Sequence, residues 1–154
     1  MSFFGEYELL IDEKNRVSIP AEIRRQLSPN TDTCKFFVKL GTNGVPWVYS
    51  EAKWTELTKD DSSGMEAGKI ELDRQRFHYG MTFPVEADRQ GRSVIPERIL
   101  KKTRTGREVV LVGVKDHLEL WNRAAWDAYT DELLSRYAGD EGKSHQTQEP
   151  LGSV

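Results

Sequence analysis

Two short stretches of this chain carry residues whose types and spacing could do chemistry. Asp12 is followed four positions later by Arg16, and Asp88 by Arg92, with an Ile-Pro pair close behind each arginine. The residue before the arginine is Asn15 in one stretch and Gly91 in the other. These are the two types that best tolerate positive φ. An aspartate at the opening position favours a type I turn, in which its carboxylate accepts bonds from backbone N–H groups. A type I turn closed by a left-handed residue is a common hairpin tip. Each stretch therefore predicts one tight tip, oriented by Asp12 or Asp88. The first presents Glu13, Lys14, Asn15 and Arg16, and the second Arg89, Gln90, Gly91 and Arg92. An arginine just after such a bend either pairs with the aspartate and pins the turn, or is aimed by it at a ligand. The two roles are compatible. Its planar fork fits phosphate, or O6 and N7 of guanine in a DNA major groove, and a ribbon two strands wide fits that groove.

The elements that must hold these tips come from a repeat. Residues 12–24 align with residues 88–100 at an offset of 76, with five of thirteen positions identical; ordinary residue usage gives about one. Residues 49–54 match 121–126 at an offset of 72, so the length difference falls in the loops, around Gly41 to Gly44. In the first copy, alternation predicts strands over 6–11 and 16–19. Pro20 opens a short helix over 20–27. Residues 36–40 and 47–49 read as a hairpin across Asn43-Gly44, and Ser50 as the N-cap of a helix carrying Trp54 and Leu57. The second copy repeats the plan: strands near 82–87 and 92–95, a helix near 96–104, a hairpin near 109–121 and a longer helix from 122. Trp126, Tyr129, Leu133 and Tyr137 fall at helical spacing and predict that helix's core face. Ser63 with Glu66 fits a capping box for a connecting helix to about Phe77. The expected organisation is a first half over 1–60, a helical connector over 61–78, a second half over 79–138 and a disordered polar tail over 139–154.

Composition narrows the function. The 154 residues suit one compact domain or two small halves sharing a core. The net charge is −3, yet residues 88–107 hold seven bases against two acids, and residues 127–149 six acids against two bases. Such segregation steers a polyanion more than the total does. No apolar run exceeds the short stretch from Val109 to Val114, so no membrane helix is predicted, and the N-terminal residues predict no signal peptide. Cys34 is the one cysteine, which precludes an internal disulfide and points to a reducing compartment. His78, His117 and His145 lie far apart with no cysteine spacing for zinc. No phosphate loop or Ser/His/Asp signature appears. Hence no metal, cofactor, small-molecule substrate or catalytic residue is expected. The four tryptophans read as packing groups. Lys101, Lys102 and Arg104 form either a solvated helix face or a contact with phosphate.

Two copies of Asp-x-x-x-Arg, each leading into Ile-Pro and a short helix, resemble the MraZ family of bacterial transcriptional regulators. Residues 109–114 leading to Leu118–Trp121 and Trp126, and residues 44–49, are similar to that family as well. The resemblance covers about residues 1–138. It implies an α+β, β-rich fold of the SpoVT-AbrB type, in which two tandem units exchange hairpins within one chain to make a small barrel with flanking helices. It also implies sequence-specific binding of double-stranded DNA at repeated promoter boxes of a division and cell-wall gene cluster. The binder would be a homo-oligomeric ring of about eight or more subunits, cytoplasmic and on the nucleoid. The DNA-facing residues it implies are Arg16 and Arg92, with Lys14, Asn15, Arg24, Arg89, Gln90 and Gly91 around them. Asn15 departs from the glycine usual in the first motif, and Leu100 stands where a base often lies opposite Arg24. A related fold used only to bind protein, as an antitoxin-like partner or assembly adaptor, is the competing expectation.

Overall fold

The computed structural model describes residues 2–29 and 32–138. The tail expected to be disordered lies outside the described residues. The chain divides into two compact units, Met1–Arg123 and Ala124–Val154.

The first unit is α+β. Its strands are β1 (Glu6–Leu10), β2 (Arg16–Ser18), β3 (Cys34–Leu40), β4 (Pro46–Ser50), β5 (Thr82–Ala87), β6 (Arg92–Val94), β7 (Glu108–Val114) and β8 (His117–Asn122). Its helices are α1 (Ala21–Leu27), α2 (Glu51–Thr58), α3 (Lys69–Gly80) and α4 (Glu97–Thr103). Six strands form one antiparallel sheet in the order β1-β7-β8-β4-β3-β5, while β2 and β6 pair with each other alone. The repeat shows in the pairing. First-half β1 lies on second-half β7, with Leu9 opposite Val109, and second-half β5 lies on first-half β3, with Val85 opposite Phe36. The resemblance noted above implies a small barrel. The six-stranded sheet is instead open, with β1 and β5 as its two edges.

Period-two alternation builds the core. On β3, Cys34, Phe36 and Val38 are buried while Lys35 is exposed. Val109 and Leu111 on β7 and Leu118 and Leu120 on β8 complete that face. Ile19, Ile23, Ile95 and Ile99 pack into the same core from repeat-equivalent positions, joined by Ile11, Val17 and Leu27. Pro20 and Pro96 stand at the N-caps of α1 and α4. A proline there loses no helix bond, because the first N–H groups of a helix have no partner. The side chain of Ser50 caps α2 by accepting from the N–H of Lys53 at 3.1 Å, as expected. The capping box at Ser63 does not form. The Ser63 carbonyl instead accepts from the N–H of Glu66 in a local turn, and α3 starts at Lys69 after Gly68. Gly64 and Gly68 favour bends over helix in that stretch.

In the second unit the described element is α5 (Arg123–Ala138), which begins at the unit boundary. The stripe expected as its core face is only partly covered. Trp126, Tyr129 and Leu133 are half-buried, Tyr137 is exposed, and no residue of the helix is buried.

Candidate nucleic-acid interface

Both tips fold by one network of bonds. In the first, Oδ1 of Asp12 accepts from the N–H groups of Lys14 and Arg16, each at 2.9 Å, and Oδ2 accepts from Nε of Arg16 at 2.7 Å. In the second, Oδ1 of Asp88 accepts from the N–H groups of Gln90 at 2.9 Å and Arg92 at 3.0 Å, and Oδ2 from Nε of Arg92 at 3.1 Å. The backbone adds Asn15 N–H to the Asp12 carbonyl at 3.0 Å and Gly91 N–H to the Asp88 carbonyl at 2.9 Å. Asn15 has φ 61° and Gly91 φ 83°, so both take the left-handed conformation that the residue types predict. The N–H of Arg16, foremost, holds the Asp12 carboxyl below its ordinary value, and the N–H of Arg92 does the same for Asp88.

The two tips meet in one ribbon. Arg16 lies opposite Val94, Val17 opposite Ser93, and Ser18 opposite Arg92. Ile19 donates to the Gly91 carbonyl at 3.0 Å and Ile95 to the Asn15 carbonyl at 2.8 Å, which ties each tip to the other strand. Val17 and Ser93 point inward and are each 1% exposed. Alternation then puts Arg16, Ser18, Arg92 and Val94 on the outer face. The two arginines are diagonal neighbours there, a relation that places their Cα atoms about 7–8 Å apart. Their side chains are 33% and 39% exposed. Each commits Nε to its aspartate, and among the described residues neither has an acceptor for its terminal nitrogens. A guanidinium fixed at one nitrogen and open at two is oriented for a planar acceptor pair.

The remaining candidates sit at different depths. Lys14, Arg89 and Gln90 are exposed around the tips. Arg24 is half-buried on α1 and donates Nε to the Ile19 carbonyl at 3.0 Å. Its guanidinium lies over the second tip, where a Cβ on Gly91 would meet Cζ at 2.8 Å. Leu100, the repeat equivalent of Arg24, packs instead against the core. Arg107 was not singled out from the sequence. Its guanidinium donates to the Asp12 carbonyl, and its own carbonyl accepts from Ile11 at 2.8 Å, so it braces the first tip. Lys101 and Lys102 are exposed on α4, and Lys101 pairs with Glu97 at 3.3 Å.

A second polar cluster also escaped the sequence reading. His117 alternates with core-facing Leu118 and so lies on the opposite sheet face. It bonds Asp116 at 2.7 Å and Glu119 at 2.8 Å and stacks on Trp47 with ring centroids 4.1 Å apart. Burial disfavours its charged form, but the bonds to Glu119 and Asp116 outweigh that and raise its pKa. Both ring nitrogens of His117 and both carboxylate oxygens of Glu119 have internal partners, as buried structural groups do.

The chain matches the model of the family described as MraZ protein, antitoxin-like, over residues 2–75 and 79–145. Among proteins named transcriptional regulator MraZ, that of Mycoplasmopsis pulmonis is 32% identical over 133 residues, covering 86% of this chain and 87% of the relative. Those of Moorella thermoacetica and Pediococcus pentosaceus are each 33% identical over 135 residues, covering 88% of this chain and 91% of each relative.

Proposed function

Because the chain belongs to the MraZ family, we propose that it is a transcription regulator whose β2–β6 ribbon binds double-stranded DNA in the major groove. One observation carries this reading. Arg16 and Arg92 stand on one outward face of a two-stranded ribbon, each aimed by its own aspartate and, among the described residues, open at its terminal nitrogens. In the proposed complex each guanidinium reads a guanine edge, while Lys14, Arg24, Arg89 and Gln90 lie along the phosphates or neighbouring bases. Asn15 and Gly91 let the backbone turn tightly enough for the ribbon to enter the groove.

A good bidentate base contact discriminates by about 1–3 kcal/mol, so two tips are modest readers alone. Several chains in a homo-oligomeric ring, engaging repeated promoter boxes of a division and cell-wall gene cluster, multiply that through effective concentration. In this reading the halves over 1–60 and 79–138 exchange their first strands within the chain. The protein works in the cytoplasm on the nucleoid. Among the described residues no helix is long and apolar enough to cross a membrane.

The test is duplex binding to DNA upstream of the chain's own gene across a salt series. The parent binds with a log–log slope near −0.9 per phosphate contacted. The Arg16→Ala/Arg92→Ala double variant keeps its circular dichroism and loses specific binding. Undiminished binding by the double variant removes the tips as readers. A stoichiometric protein partner together with no duplex binding at low salt favours the interaction-module reading instead.

A further inference from the structure

The two halves present the same arginine beside different neighbours. The chain runs Arg16-Val17-Ser18 in the first copy and Arg92-Ser93-Val94 in the second, so the pair after the arginine is reversed. The inward positions are therefore Val17 and Ser93, and the outward ones Ser18 and Val94. Across the ribbon Arg16 faces Val94, and Arg92 faces Ser18. The bonds joining Ile95 to Asn15 and Ile19 to Gly91 mark the bonded pairs of the ladder. The pairs Arg16–Val94 and Ser18–Arg92 fall between them, and such non-bonded pairs bring Cα atoms to about 4.5 Å and their side chains nearer to each other than bonded pairs do.

Val94 is 57% exposed, while Ser93 and Ile95 on either side point into the core. A lone exposed valine is ordinary on a protein surface. This one stands on the outward face between two arginines, at the place where the other half has a hydroxyl. The apolar group available in the major groove is the C5-methyl of thymine.

We infer that Val94 is a specificity residue: beside Arg16 its isopropyl group covers the methyl of a thymine neighbouring the guanine that Arg16 reads. Arg92 works beside the Ser18 hydroxyl, which bonds to any base edge and selects no methyl. One chain thus reads the two halves of its DNA site unequally. The inference rests on the proposed DNA-binding role of the ribbon.

The experiment starts with duplexes selected by the parent protein from a random pool. Copies of the selected duplex carry deoxyuridine in place of each thymine in turn, which removes one methyl and nothing else. Binding is read by fluorescence anisotropy at fixed salt. At one position the parent loses about fourfold in affinity for each site engaged, the worth of one buried carbon. Val94→Ser binds the thymine and deoxyuridine copies alike, and its melting temperature is unchanged because the side chain is exposed. Ser18→Val acquires a second methyl-sensitive position. If the parent selects a sequence and Arg16→Ala loses it, yet no deoxyuridine copy binds more weakly, Val94 is not a reader although the ribbon is. The same follows if Val94→Ser keeps the penalty. If the parent selects no sequence, or the Arg16→Ala/Arg92→Ala variant selects as the parent does, the ribbon reading fails and the inference falls with it.

Discussion

The two tips reach one geometry from different residues. Their bonds agree closely: each aspartate accepts two backbone N–H groups and its arginine's Nε, and each bend residue donates back to the aspartate carbonyl. They differ in the left-handed residue and in the brace. Asn15 keeps a side chain at the first bend, and Arg107 holds that tip by the Asp12 carbonyl. Gly91 leaves the second bend bare, and the Arg24 guanidinium fills the space where a side chain would be. The aspartate network therefore sets the arginine, while the bend residue answers to whatever packs against it. Gly91 has two reasons to lack a Cβ, its φ and its neighbour, whereas Asn15 meets only a conformational demand.

The largest difference between the tips is expected from alanine at the two bends. At Gly91, alanine takes a left-handed conformation costing about 1–2 kcal/mol. Its Cβ also displaces Arg24, whose bond to the Ile19 carbonyl contributes about 1 kcal/mol. Gly91→Ala should lower the melting temperature by about 5–10 °C. Adding Arg24→Ala should relieve the crowding, so the double variant is less destabilised than the single costs sum to, by about 1 kcal/mol. Strict additivity in that cycle would show that Arg24 does not brace the second tip. Asn15→Ala has no such neighbour to displace and should cost only about 1 kcal/mol, most of it conformational. Calorimetry on the set checks both.

Acid should act on the two tips alike. Both aspartates are held below their ordinary values, so their contribution is complete above the unfolded value of about 3.9 and is lost as pH falls through the folded ones. The Nε–H resonances of Arg16 and Arg92 should stay constant down to about pH 4 and shift only below it. Asp88→Asn should remove the shift at Arg92 and leave that at Arg16. A shift in either arginine centred near pH 4 or above would mean that its aspartate is not held below its ordinary value and that the latch at that tip is weak.

Local chemistry was the legible part of the sequence. Asp at the first position and Asn or Gly at the fourth state the turn completely, and offset 76 shows that the turn is made twice. Partners distant in sequence were not legible. Alternation shows that residues 6–10 form a strand, but not that it lies on residues 108–112, and so could not distinguish an open sheet from a barrel. The Arg24–Gly91 and Arg107–Asp12 contacts join residues 67 and 95 positions apart, and no local pattern marks them. The Ser63 box matched its pattern, but glycines at 64 and 68 displaced the helix start. At Ser93-Val94 the residue types mislead, since hydrophobicity places valine inside and serine outside while Ile95 fixes the opposite phase.

That reversal supplies the smallest expected effect. The buried Ser93 hydroxyl has no hydrogen-bond partner among the described residues. Burying an unsatisfied polar group costs about 1–3 kcal/mol, offset in part by the cavity that removing the oxygen leaves. Ser93→Ala should therefore raise stability slightly, by about 0.5–1 kcal/mol. Val17 holds the equivalent place with two methyl groups in contact with the core, and Val17→Ala should lower stability by more than that amount. Opposite signs at paired positions would establish that the first half carries the packing at the centre of the ribbon. A loss of stability in Ser93→Ala would instead show that the hydroxyl is bonded in solution, and the two halves would then be equal partners at that point.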